Sequence, residues 1–423
     1  MTDAAPSSAG TPRSTREHLH PHHVALGHWV AHGLALAELA LDAVTRPGPD
    51  AHKGHGSHDG RPARHPSVDR VILESAVLVR VVGPAHSARA TRVADRLLDL
   101  ATSDDARLAL ALDPAAAIEQ AAAYLVLRDQ RPDPRLDDLV CRAETARVTV
   151  GRERLPHRDL ERTWLRGLLA GRHDVTTVDV RRTVLGGEVD VLDVRAGNRD
   201  DLRAFTHALR YATDFGLHPS SVPPELVPGL LGQAQSALAG ALDDEDWALA
   251  GELLMTWPLL GVPAGADASA ALAVVLELAE SVGTLPAPVT PVDLDGLTSE
   301  ERADAIVLST CHTGFVLALL AALAPRVAWA SPAPDLNGPS LRDAWLVGDE
   351  RPTWHDLPYA ALPGSAGPAV ALVSDARVRR LARDRRYADL AATLALPGVP
   401  TTPATLQARE LLDRLDHLSD DPA

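Results

Sequence analysis

Aromatic side chains are scarce in this 423-residue chain, with Phe, Trp and Tyr together only 3% of it. The apolar content is carried instead by Ala, Leu and Val, and the first two are strong helix formers, so the composition favours helix. Two cysteines, Cys141 and Cys311, are too few for a disulfide framework and fit a reducing cytoplasm. Excess basic charge is lacking as well. The formal net charge of −16 is spread along the chain and repels phosphate backbones and anionic lipid, so nucleic acid and membrane surfaces are excluded as expected partners. The stretch from Met1 to Ser8 has no basic region followed by an apolar one, so no secretory signal is expected. There is no phosphate-cradling glycine motif, no Gly-x-Ser-x-Gly elbow and no His-Glu-x-x-His.

With 46% hydrophobic residues, the length suffices for two or three domains or one large helical array. Residues 1–15 are small and polar, and are expected to be disordered. Helical periodicity then begins with Val24, Leu26, Trp29, Val30, Leu34, Leu36 and Leu39. After a Gly-, Pro- and His-rich loop to Ser67, the pattern predicts helices over 68–82, 87–102, 114–128, 135–149, 157–171, 199–215, 224–241, 244–258, 267–282, 299–324, 369–382 and 403–418. Ser220 to Pro224 and Thr298-Ser299-Glu300-Glu301 read as helix starts, and Gly216, Gly261 and Gly283 as helix ends. Val175 to Val194 alternates like a short hairpin or a connector. The fold class is therefore all-α. The arrangement is an antiparallel helical-hairpin array closed as an α/α toroid, with an open α-solenoid as the alternative. The division is an N-terminal helical half (16–172), a connector (173–198), a core half (199–330), and an irregular excursion with C-terminal helices (331–423).

Ala305 to Pro325 is about long enough to cross a bilayer. Ser309, Thr310, His312 and Thr313 sit near its middle and many of its apolar residues are only Ala, so a buried core helix is the expectation.

Two constellations carry candidate chemistry. On a helix over Arg203 to Phe215, the i, i+4, i+7 spacing places His207, Tyr211 and Asp214 within about 60° of one another. Arg203 and Arg210 flank that stripe, and Phe205, Leu209 and Ala212 lie opposite. Imidazole, phenol, carboxylate and guanidinium on one face suit acid–base chemistry or the grip of a polar ligand. A solvated amphipathic face is the competing reading. The second constellation is Thr310, Cys311, His312 and Thr313, which interrupt a helix otherwise apolar all round. A buried imidazole without partners costs about 1–3 kcal/mol, so His312 is either a satisfied core histidine or opens on an internal cavity where His207 and Asp214 meet it. The acids Asp243-Asp244-Glu245-Asp246 read as a helix start, favoured by the dipole. His18, His20, His22, His23, His28 and His32, with His52, His55, His58 and His65 in the following loop, suggest adventitious metal affinity.

The Thr-His-x-x-x-Tyr-x-Thr-Asp-Phe-Gly run from Thr206 to Gly216 resembles a bacterial family of helical proteins, mainly actinobacterial, without an assigned activity. The His312-Thr313 pair is similar to a later His-Thr pair of that family, and the resemblance spans Asp200 to Ala324. It implies a shared site without supplying a reaction, and it leaves Cys311 outside the motif. Adjacent Cys311 and His312 are also similar to the zinc ligands of lanthionine-cyclase toroids, although Thr313 stands where that family has Gly and no matching upstream cysteine is present. A zinc set of Cys311, His312, His207 and Asp214 is chemically feasible; no cofactor is expected.

The functional expectation is a cytoplasmic helical protein with an internal polar pocket, an enzyme or ligand-binding protein of specialised metabolism acting on a small molecule or peptide. His207, His312, Asp214 and Tyr211 are the expected catalytic groups, with Asp214 orienting the surroundings of His207 and Tyr211 donating a hydrogen bond. Thr206, Arg203, Arg210 and Thr313 are the expected ligand-binding groups. The alternative is a non-enzymatic helical scaffold that binds another protein.

Overall fold

The computed structural model describes residues 22–46, 68–114, 116–145, 156–172, 199–287, 297–330 and 370–420. The expected disordered tail at 1–15, most of the His-rich loop, the Val175–Val194 alternation and the excursion after 331 lie outside the described residues. Among the described residues the chain is all-α without a strand, and a single isolated bridge pairs Ala264 with Trp329.

The helices of the first half are α1 (His22–Thr45), α2 (Val68–Val82), α3 (Ala88–Ala101), α4 (Asp104–Leu112), α5 (Ala117–Gln120), α6 (Ala122–Leu127), α7 (Pro134–Thr145) and α8 (Pro156–Leu169). The second half has α9 (Arg199–Ala212), α10 (Val227–Asp243), α11 (Trp247–Leu254), α12 (Thr256–Leu260), α13 (Ala266–Val282) and α14 (Ser299–Leu323). The C-terminal helices are α15 (Val370–Arg383), α16 (Tyr387–Leu394) and α17 (Pro403–Asp420).

Helix α14 organises the core. It starts at a capping box, in which Thr298 Oγ1 accepts from Glu301 N at 3.2 Å and Thr298 N donates to Glu301 Oε2 at 2.9 Å. That reciprocity satisfies two backbone donors that have no intrahelical partner. Its first turns are exposed, whereas Thr313 to Ala321 are buried without interruption. Ser299–Arg326 is long and apolar enough to cross a membrane, yet most of its apolar window is buried in the protein, against α1, α2 and α11. The contact with α1 is close because small residues meet: a Cβ on Gly33 would overlap Ala318, and one on Gly314 would overlap Leu36.

Three local departures from the periodic pattern have clear causes. The predicted 244–258 helix breaks at Met255, because Pro258 has no N–H to continue the ladder. Helix α4 carries proper start signals, with Ser103 Oγ accepting from Ala106 N and acids in the first turn, but Leu108 and Leu112 are exposed and blur the apolar face. The acids at 243–246 divide between two helices. Asp243 ends α10, while Asp246 caps α11 by accepting from Leu249 N at 3.3 Å.

A smaller apolar cluster (Val378, Leu381, Leu390, Leu394, Ala408, Leu411) holds α15, α16 and α17 together. These helices join the main body through buried Asp375, which accepts from Ser236 Oγ on α10 at 2.5 Å and from Thr402 Oγ1 ahead of α17. The α10–α11 and α15–α16 connections share one plan. Glu245 (φ 56°) and Arg385 (φ 59°) take left-handed positions, and a Gly-Val-Pro with a left-handed glycine comes later in each, Gly261 (φ 69°) after α12 and Gly398 (φ 85°) after α16.

Candidate functional site

Helix α9 is amphipathic, but the face bearing its polar residues is turned inward: Thr206, Arg210 and Tyr211 are buried, and Arg203 and His207 half-buried. The solvated-face reading is excluded. Thr206 and Arg210, one turn apart, both reach Glu252 on α11. Thr206 Oγ1 donates to Glu252 Oε2 at 2.8 Å, and Arg210 Nη2 lies 2.6 Å from the same oxygen. Glu252 is only 3% exposed. Burial alone pushes its carboxyl up; Arg210, then His207 and His312, reverse this and hold it well below the usual carboxylate range.

His312 projects from α14 at the point where that helix passes from exposed to buried. Its Nδ1 is 2.9 Å from Oε1 of Glu74 on α2, and its Nε2 is 3.8 Å from Glu252 Oε1. Arg70, one turn before Glu74, donates from Nε to the same Glu74 oxygen at 2.8 Å and brings Nη2 within 3.1 Å of His312 Nδ1. Burial raises the Glu74 carboxyl, but the His312 and Arg70 charges outweigh it and take it down to about 2. An ionised carboxylate only accepts, so the 2.9 Å contact assigns a proton to His312 Nδ1. Nε2 then faces the ionised Glu252 across a distance too long for a direct hydrogen bond. Four helices thus align carboxylate, imidazole and carboxylate, with Arg70 at the open end and Arg210 at the buried end.

The remaining expected residues fall elsewhere. Tyr211 is turned toward α8, where the Glu161 charge acts on its phenol, and its ring lies 5.2 Å from that of Trp164. Burial, reinforced by Glu161, raises its phenol well above the ordinary value. The His207 ring packs edge-on to Tyr211 at 6.1 Å and stands close enough to Glu252 to act on its charge. Asp214 leaves the stripe altogether. Helix α9 ends at Ala212, and Asp214 (φ 47°), Phe215 (φ 54°) and Gly216 (φ 79°) form a left-handed turn. There Asp214 meets Arg80 Nη2 at 2.7 Å, Trp164 Nε1 at 2.8 Å and His218 Nδ1 at 3.3 Å. Burial raises its carboxyl, and the Arg80 and Trp164 donors bring it below the ordinary value. Two non-glycine left-handed residues cost about 1–2 kcal/mol each, and these tertiary bonds hold them in place. Asp214 is therefore an anchor of the α9 exit, not an orienter of the surroundings of His207.

Thr313 is turned away from His312: its hydroxyl lies 3.0 Å from Leu285 O and 2.9 Å from Thr310 O. Cys311 is buried, and burial and the nearby Glu74 push its thiol up to about 12, which leaves it protonated at neutral pH. Among the described residues no three His, Cys, Asp or Glu are placed to hold a metal ion. The zinc set loses Asp214 to Arg80.

A family model for a domain of unknown function, DUF6895, matches residues 8–322, most of the chain and all of the elements that build this cluster. The chain belongs to DUF6895. No curated protein and no solved structure matches it. The DUF6895 match ends within α14, so α15–α17 lie beyond it.

Glu74, Arg70 and Glu252 were not singled out in the sequence. A signal for Glu252 was present, since it is the one charge within the apolar Trp247–Leu254 helix and follows the same logic as His312 in α14. Arg70 and Glu74 read as an ordinary i, i+4 surface pair on α2, and nothing local distinguishes them.

Proposed function

We propose that the DUF6895 chain is a cytoplasmic enzyme acting on a small molecule or peptide, with His312 as its proton-transfer group. One observation carries this reading. Glu74 fixes the His312 proton at Nδ1, and Nε2 stands 3.8 Å from the buried Glu252 carboxylate, beyond direct hydrogen-bond reach. An imidazole oriented by a carboxylate at one nitrogen can take or give a proton at the other. Glu252 would stabilise the imidazolium formed when Nε2 gains a proton, and Arg210 and Thr206 would keep Glu252 in position. His207, which also acts on Glu252, is the second acid–base candidate.

A structural clamp is the second reading, favoured by the pairs that tie α9 to α11 (Arg210–Glu252) and α2 to α14 (Glu74–His312). Purified protein incubated with a metabolite extract separates the two. Wild type should change a defined set of metabolites, and a folded H312Q variant should leave that set untouched. Equal profiles for the two proteins would favour the clamp.

A further inference from the structure

The donor and acceptor inventory of the cluster is incomplete in one direction. Glu252 Oε2 is filled by Thr206 and Arg210, whereas Oε1 takes no hydrogen bond from the described residues. Glu74 Oε1 is filled by Arg70 and His312, whereas Oε2 is shielded from solvent and has no partner among the described residues. Both vacancies are acceptors on ionised carboxylates. Leaving the solvent-shielded Glu74 Oε2 unsatisfied costs about 1–3 kcal/mol. A group that brings N–H donors complements them, and a group bringing only acceptors is repelled.

Arg203 supplies the opposite need. On α9 its angular position lies between those of Thr206 and His207, about one turn before them. It is half-buried and makes no side-chain hydrogen bond or ion pair with the described residues. A free guanidinium on the helix face that grips Glu252 is suited to an anionic group.

We propose that this site binds a small amino-acid-like ligand, its amino group against Glu252 Oε1 and His312 Nε2 and its anionic group on Arg203. The proposal rests on the reading of His312 as the proton-transfer group and names the ligand class for it. In the proton step, neutral Nε2 takes one proton from the ligand's ammonium. The products are a free amine with its lone pair and an imidazolium held between Glu74 and Glu252; no bond to carbon changes.

The test is calorimetric titration of the full chain with each of the twenty proteinogenic L-amino acids. Any that binds is compared with its decarboxylated amine and its deaminated acid. At least one amino acid should bind, and each truncated analogue should bind about ten-fold more weakly or worse. R203Q, which removes an unpaired side chain and leaves the core intact, should abolish the preference for the amino acid over its amine. The proposal is overturned if no amino acid binds more tightly than about 10 mM, if either analogue binds as well, or if R203Q keeps the preference. Amino-acid binding with these preferences but no turnover by wild type would support the ligand class and defeat the proton-transfer reading. H312Q-sensitive turnover of a compound without an amine would do the reverse.

Discussion

Glu252→Gln isolates the charge at the buried end of the site. The substitution keeps shape and volume, and the amide oxygen still accepts from Thr206, so no cavity opens. What is lost is the negative partner of Arg210, whose side chain is 10% exposed and lies 2.6 Å from the carboxylate. Breaking a buried pair by removing one member costs about 3–5 kcal/mol, chiefly because the other charge stays buried and uncompensated. That is a large share of the about 5–15 kcal/mol that holds a typical native protein together. The folded carboxyl lies below its unfolded value. Its contribution is therefore complete above the unfolded value near 4.3 and is lost as pH falls toward the folded one. Urea unfolding of wild type and E252Q, followed by the fluorescence of the buried tryptophans, should differ by about 3 kcal/mol or more at pH 7. The gap should close progressively below about pH 4. Replacing both partners, as E252L/R210L, should recover much of the loss. A gap under about 1 kcal/mol at pH 7, or one that persists unchanged in acid, would refute the buried pair.

Three further outcomes follow from the geometry. Gly216→Ala should destabilise by about 2 kcal/mol in the same assay, because the residue is left-handed at φ 79° and a Cβ would fall 2.7 Å from Arg326 Nη1. Asp375 is fully buried, and desolvation lifts its carboxyl to about 6 against the Ser236 and Thr402 bonds. Since the folded value is raised, its contribution is complete below about pH 4 and falls as pH rises to about 6. The stability of wild type relative to D375N should therefore drop by roughly 3 kcal/mol across that window, and a flat difference would contradict it. Native protein at pH 8 should react with a thiol reagent at the exposed Cys141 alone, and at Cys311 only after unfolding, as read by mass spectrometry.

Much of the helical layout was legible because its signals are local. The Thr298–Glu301 capping box, the left-handed ends at Gly261 and Gly283, and the buried apolar half of α14 all follow from neighbouring residues. His312 stood out as the polar interruption of that helix. Asp214 misled because the i, i+7 spacing presumes that the helix continues. Here Phe215 N turns back to Arg210 O at 2.7 Å, and the left-handed turn survives through Arg80 and Trp164, which are far away in sequence.

The sequence by itself determined an all-α chain, most of its helix boundaries and the polar interruption at His312, because helix propensity, caps and apolar period act over a few residues. Only the tertiary structure decided which polar residues meet. Glu74 and His312 are 238 positions apart, and Thr206 and Glu252 are 46 apart. No local pattern encodes such pairings, which arise when α2 and α11 pack against α14 and α9 packs against α11.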